Sequence, residues 1–353
     1  MTAYVPSSSA WAEGGPEEVA EGLFRIPLPL PNDGLRAVNA YLWRGAGGDL
    51  LIDCGWVHPL SWEALTSALT RFGSGLKSIR QLFATHVHGD HLGAAGQIRE
   101  AAGAFVTLGL GDRETAQIMA TDPALARART KELLLRHGAS SVVEALDQEA
   151  AANPRPAWLS PLPDLFLSDG ELRFDGRALE VLPTPGHTRG HLCLWDPSTQ
   201  ILFAGDHVLP HITPSIGVEV PVGGLPLLHF LHSLEKVRDL PAQLVLPAHG
   251  PTFPDLAGRV DQLLEHHRLR LQLCQEAVQG GSRSALDVAQ AVPWTRRRKK
   301  FSELDAFNQM LAVNETVAHL ELLAERGELS LVLSNLVVLF TPGPSGPQSA
   351  EAH

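Results

Sequence analysis

The stretch FATHVHGDHLGAAG, Phe83 to Gly96, decides how the rest of this chain is read. It sets His86, His88, Asp90 and His91 within six positions, behind the apolar run SIRQLFATH (78–86) and ahead of Gly93 and Gly96. The run reads as a strand that delivers His86 at its end, and HLGAAGQIREAAGA (91–104) reads as a helix start. Where a strand passes into a loop, side chains fan outward, so the alternate positions 86 and 88 can face one cation. Asp90 and His91, one step further round the turn, can face a second. Imidazole and carboxylate together suit Zn²⁺, and also Fe or Mn. Gly89 and Gly93 relieve crowding beside such a site. A histidine-rich surface loop is the plain alternative, and H-x-H-x-D-H behind a β-rich run speaks against it.

Three later pieces have one layout. LPTPGHTRGH puts His187 in a Pro- and Gly-rich loop after a strand, LFAGDHVL puts Asp206 after an apolar strand, and LVLPAHG puts His249 after another. Each time a strand ends and a ligand-type residue follows, which is how loops on a rigid scaffold assemble a site at one sheet edge.

The surrounding chain fits that scaffold. Strands are expected at FRIPLPL (24–30), NAYLWRG (39–45), DLLIDCG (49–55), FVTLG (105–109), GELRF (170–174), RALEVLPT (177–184), HLCLWD (191–196), ILFAGDHVL (201–209) and QLVLPAHG (243–250). Helices are expected at 62–73, 225–240, 255–278 and about 303–326, and ELSLVLSNLVVLF (328–340) reads as a hairpin. Many short strands in succession indicate an α+β layered sandwich rather than a repeat of βαβ units. The expected division is a flexible leader (1–22), a catalytic domain (23–254) with a helical insertion at about 112–159, a winged-helix-like domain (255–340) and a disordered tail (341–353).

Composition narrows the class. The chain has 353 residues, a net charge of −11 and three cysteines, Cys54, Cys193 and Cys274. The acidic balance argues against wholesale binding to nucleic acid or an anionic membrane. Three widely spaced cysteines form no disulfide framework, and a reduced cytoplasmic setting is the simplest reading. The first 22 residues lack the basic start and apolar core of a signal peptide, and no apolar run is long enough to span a membrane.

Taken together, the motifs resemble those of the metallo-β-lactamase-fold hydrolase superfamily: a strand aspartate, H-x-H-x-D-H, a second-half histidine, a bridging aspartate and a final histidine. The resemblance covers roughly residues 22 to 255 and implies a four-layer αβ/βα sandwich. It implies that Asp53 in LIDCG is the structural aspartate, that His86, His88 and His187 hold one zinc, that Asp90, His91 and His249 hold the other, and that Asp206 bridges them. Two ions sharing a water lower its pKa enough to give hydroxide near neutral pH, and one of them polarises the substrate oxygen. Asp90 can help move a proton to the leaving group. His207, directly after Asp206, is a candidate for substrate contact, and His191 for support behind the ligands.

Variants of the superfamily refine the expectation. Diiron flavoproteins usually carry Glu where this chain has His88, and many true β-lactamases lack the aspartate bridge. Asp206 therefore points to ester, thioester, lactone or phosphodiester hydrolysis. Sulfur dioxygenases keep similar motifs with one iron, so metal identity stays open. ETVAHLELLAERGEL (315–329) resembles the C-terminal region of the β-lactamase-like protein 2 group, some of whose members cleave single-stranded RNA.

The reading is a dinuclear, zinc-dependent hydrolase acting on a small acyl substrate. The alternatives are an endoribonuclease that uses the basic run TRRRKK (295–300), and a metal-binding module without catalysis. TRRRKK reads first as a solvated linker. The insertion is a lid, a dimer surface or decoration, and homodimerisation stays open.

Overall fold

In the computed structural model the described residues are 10–31, 34–152, 162–218, 224–295 and 298–343. A seven-stranded sheet has the order β1 (Glu17–Ala20), β2 (Leu23–Pro29), β3 (Ala37–Trp43), β4 (Asp49–Ile52), β5 (Ile79–Phe83), β6 (Phe105–Gly109), β7 (Leu165–Leu167). Its first four strands are antiparallel, and from β4 onward they run parallel. A five-stranded sheet comprises β8 (Gly170–Phe174), β9 (Arg177–Pro183), β10 (Leu192–Asp196), β11 (Ile201–Gly205) and β12 (Leu244–Pro247), in reverse order across the sheet. A hairpin of β13 (Leu329–Ser334) and β14 (Val337–Pro342) stands apart. The helices are α1 (Ala10–Glu13), α2 (Pro59–Arg71), α3 (Gly89–Leu92), α4 (Ala95–Ala102), α5 (Arg113–Thr121), α6 (Pro123–Arg136), α7 (Ser140–Ala152), α8 (Pro226–Arg238), α9 (Leu256–Gln279), α10 (Ala285–Ala291) and α11 (Ala306–Glu325).

The chain divides into two compact units. The first holds both large sheets, from residues up to 123, 158–214 and 232–261. Alternation along the strands gives each sheet an apolar inner face. Leu23, Tyr41, Trp43, Ile52 and Phe83 of the first sheet cluster with Val181, Leu194, Phe203 and Leu246 of the second. Each such side chain contributes roughly 1.5–3 kcal/mol on burial. The other face of the first sheet carries Leu65 and Leu69 of α2 and Ile98 of α4. Beside the second sheet, Ser233 Oγ and Lys236 Nζ of α8 donate to the carbonyls of Pro185 and Pro183 at 2.8 and 3.1 Å. The layers therefore run helix, sheet, sheet, helix.

The second unit takes 124–157, 215–231 and residues from 262 onward. Helices α6 and α7, read from the sequence as an insertion in the catalytic domain, belong here. Their buried residues Leu133, Leu134 and Val142 explain this, and the His137 ring stacks on Phe340 at 6.3 Å. Helices α9 and α11 and the hairpin fall where the sequence places two helices and a hairpin, with the short α10 between the helices.

Two ends differ from expectation. Residues 17–20, taken as part of a flexible leader, form the edge strand β1, where Glu17 pairs with Arg25 at 2.8 Å. Strand β14 runs through Pro342, past the expected start of the tail, because Thr341 and Pro342 still pair with Ser330 and Leu329. Residues 1–9 and 344–353, part of those expectations, lie outside the described residues, as do Asn32, Asp33, Arg296 and Arg297. No described helix is long and apolar enough to cross a membrane.

Hydrogen bonds suture the two sheets at one end. Asn39 Nδ2 donates to the carbonyls of Pro247 and Gly250 at 2.9 and 2.8 Å, and Tyr41 Oη donates to Pro247 at 2.7 Å. Leu192 N–H donates to the Thr85 carbonyl at 2.9 Å. Asp112, fully buried beyond β6, accepts from Val87 N–H at 2.9 Å, Thr188 Oγ1–H at 3.1 Å and Gly190 N–H at 2.7 Å. A Cβ on Gly190 would stand 2.6 Å from the Asp112 carboxyl carbon, so the approach requires glycine. One carboxylate thus ties the His86–His88 loop to the His187 loop. Asp112→Ala would leave buried donors unpaired. It should lower unfolding free energy by about 3 kcal/mol in urea denaturation, with Asp112→Asn intermediate; a loss within error would refute the suture.

Candidate metal centre

The sutured end is where the ligand-type residues meet. His86 and His88 follow β5, His187 sits in the β9–β10 loop, Asp206 follows β11 and His249 follows β12. His187 Nε2 lies 3.2 Å from His86 Nε2 and 3.0 Å from His88 Nδ1, and those two nitrogens are 3.0 Å apart. Asp90, His91 and His249 form a second cluster: His91 Nε2 and His249 Nε2 stand 3.5 and 3.4 Å from Asp90 Oδ2.

Asp206 lies between the clusters. Its Oδ2 is 3.4 Å from His187 Nε2, and its Oδ1 is 3.4 Å from His249 Nε2 and 3.8 Å from His91 Nε2. Each cluster, and the combination of His86, His91 and Asp206, could hold a metal ion. The structure therefore brings together His86, His88, Asp90, His91, His187, Asp206 and His249.

Local partners aim the rings. Asp53 sits in a left-handed conformation, φ +56°, just past β4. Aspartate tolerates that conformation better than most residues. Its N–H donates to the Phe83 carbonyl, and its carboxylate accepts from Thr85 N–H at 2.8 Å and from His91 Nδ1–H at 2.8 Å. His91 therefore turns Nε2 toward Asp90 and Asp206. His249 Nδ1–H donates to the Ala37 carbonyl at 2.8 Å, with the same consequence. Such outer contacts fix the tautomer that a metal ligand needs.

The donor set passes a test of fit for a cation. His91 Nε2, His249 Nε2 and Asp206 Oδ1 are buried with no hydrogen-bond partner. Orphaned buried acceptors are costly unless something charged satisfies them. Burial, reinforced by the neighbouring rings, pushes His86 well down, and burial with His187 beside it brings His88 to about 3. Both rings are then neutral and able to donate a lone pair near pH 7. Burial opposes the charged forms of Asp90 and His91, but each offsets it for the other. Asp90 is held well below the carboxylate range by His91 and His249, and His91 is raised by Asp90, Asp53 and Asp206.

His207 directly follows Asp206. It is fully buried, its ring 5.9 Å from that of His191, and burial lowers its pKa to about 4. It joins none of the metal-capable groupings. Trp43 packs in the core against Phe203.

The sequence reading missed Thr85 and Asp112. Thr85 Oγ1 contacts Asp53 at 3.0 Å and His86 Nδ1 at 3.1 Å. Asp112 had a signal: it follows the apolar run FVTLGLG just as Asp206 follows its strand.

The chain is similar to known proteins. The family model described as Metallo-beta-lactamase superfamily matches residues 33–249. The "Beta-lactamase-like protein 2 homolog" of Caenorhabditis elegans is 25% identical over 259 residues, covering 72% of this chain and 70% of that protein. The "Acyl-coenzyme A thioesterase MBLAC2" of Bos taurus is 30% identical over 297 residues, covering 79% and 96%. The crystal structure of a beta-lactamase domain protein from Burkholderia ambifaria superposes with a TM-score of 0.80 at 26% identity, covering 97% of each chain. With that fold and that cluster of imidazoles and carboxylates, this chain belongs to the metallo-beta-lactamase superfamily and is one of its hydrolases.

Proposed function

We propose that the chain is a dinuclear zinc-dependent hydrolase of small acyl substrates, with acyl thioesters of coenzyme A foremost. The observation that carries the dinuclear reading is the split reach of Asp206, one oxygen toward His187 and the other toward His249 at 3.4 Å each. His86, His88 and His187 would hold one ion, Asp90, His91 and His249 the other, with Asp206 shared. Nitrogen and oxygen ligands without a thiolate suit zinc, and iron or manganese fit the same donors. Bound there, the ions supply an acidified water and a Lewis acid for a carbonyl oxygen.

The chain's own residues do the rest. Asp53 and the Ala37 carbonyl hold His91 and His249 in the ligating tautomer. Asp90, whose Oδ2 lies 3.4–3.5 Å from His249 and His91, is the carboxylate we assign to take and return a proton during acyl transfer. His207 is neutral near pH 7 and enclosed, so it is assigned to packing beside His191 rather than to substrate. The thioester preference comes from the bovine relative, whose name is acyl-coenzyme A thioesterase and 96% of which aligns. Buried, unpaired Cys54, Cys193 and Cys274 support a reducing, cytoplasmic setting. The helix, helix, helix and hairpin order at 256–342 supports a winged-helix-like description of the C-terminal region.

Protein purified from metal-supplemented culture should carry close to two transition-metal ions per chain by elemental analysis. Asp206→Ala should lose at least one of them, with hydrolysis reduced by about a hundredfold or more; retention of both ions and of rate would remove the shared-ligand role. A panel of acyl-coenzyme A esters, simple esters, lactones and single-stranded RNA should show free-thiol release from the coenzyme A esters, abolished by chelation. Cleavage of RNA with no thiol release would replace the acyl reading by the nuclease one.

A further inference from the structure

The histidine cluster contains a ring that belongs to none of the metal-capable groupings. His191 is fully buried, with its ring 5.3 Å from that of His86 and 6.3 Å from that of His187. Placed there, it invites reading as one more ligand. Its hydrogen bonds argue otherwise. The Asp206 N–H donates to His191 Nε2 at 3.0 Å, so Nε2 bears the lone pair. Nδ1 therefore bears the hydrogen and donates to Thr184 Oγ1 at 2.8 Å. Both nitrogens are committed, and ligating a metal through Nε2 would strand the buried Asp206 N–H.

The backbone at this point is tightly determined. Gly205 closes β11 in a left-handed conformation, φ +50°. A Cβ on it would lie 2.6 Å from His191 Nε2 and 2.9 Å from Thr85 Cβ. The Gly205 carbonyl accepts from Ala248 N–H at 2.9 Å, next to His249. Thr184 N–H donates to the His191 carbonyl at 2.9 Å, closing the base of the loop that carries His187. His191 therefore grips the first peptide N–H beyond β11, at the residue whose two carboxylate oxygens divide between His187 and His249.

We infer that His191 is a positioning residue. Its Nε2 lone pair, presented by the bond from Nδ1–H to Thr184, fixes the peptide of Asp206 so that one carboxylate spans both clusters. This rests on the reading of Asp206 as a shared ligand. A small rotation of that peptide would draw one oxygen away from its cluster, so loss of the grip should weaken the second ion before the first.

The test titrates Co²⁺ into chelator-treated protein, following visible absorption and counting bound ions, with thermal unfolding of the same samples as a check on folding. The variants are His191→Leu, His191→Gln and His191→Asn. A glutamine side-chain oxygen reaches the Nε2 position and can accept from Asp206 N–H, whereas asparagine reaches only the Nδ1 position. The expected result is that wild type binds two Co²⁺, H191L binds the first normally and the second roughly 10–100-fold more weakly, and H191Q recovers most of that loss while H191N does not. If H191L does not fold, the Gln-against-Asn contrast carries the same test. A wild type holding two ions together with an H191L or H191N that holds two just as tightly overturns the His191 assignment alone. Loss of both ions in every variant, Gln included, overturns it in favour of direct ligation. A wild type that binds at most one Co²⁺ overturns the two-metal reading and the inference with it.

Discussion

Five imidazoles, four of them buried (His86, His91, His187 and His249) and one half-buried (His88), turn a ring nitrogen into one small volume shared with the carboxylates of Asp90 and Asp206. The nitrogens of His86, His88 and His187 stand 3.0–3.2 Å apart, and burial holds His86 and His88 in the neutral form that can donate a lone pair. That constraint governs the structure: the fold must hold these groups together against their own electrostatics, and only a positive charge relieves them. Aspartates on the rim supply the compensating field. Asp53 belongs with them, since its contact with His91 both orients that ring and raises its basicity.

The fold meets this demand by placing the ligands on strand ends and sewing those ends together. The apolar interior between the two sheets sets their separation, and Asn39, Tyr41 and Asp112 set their register at the edge that carries the site. Each suture joins one sheet to the other close to a ligand: Asp112 beside Val87 and Thr188, Asn39 beside Pro247 and Gly250. The centre is therefore preorganised by backbone and by buried polar contacts rather than by long flexible side chains.

Much of this was legible in the sequence because ligation demands residue types that hydrophobic patterning does not. His86, His88, Asp90 and His91 interrupt an apolar strand within six positions, and His187, Asp206 and His249 each follow a strand end. What stayed hidden was contact between distant segments. Nothing in FVTLGLGD says that Asp112 reaches the loop of residues 188–190, and nothing in TSALTRFG or NAYLW says which strand lies across from it. His207 looked well placed because it adjoins Asp206, and its ring is fully buried 5.9 Å from that of His191. The helices at 124–152 read as an insertion because a sequence is linear, while α7 packs against α11 and both helices group with the C-terminal residues. Residues 17–20 read as leader because so short a stretch has too little alternation to declare a strand.

The most direct measurement is anomalous diffraction from a crystal of the metal-loaded protein, collected at the absorption edge of the bound element. A dinuclear centre should give two peaks about 3.5–4 Å apart. One would be bounded by His86, His88 and His187, the other by Asp90, His91 and His249, with Asp206 touching both. A single peak at full occupancy, or two peaks with Asp206 turned away from one, would contradict it.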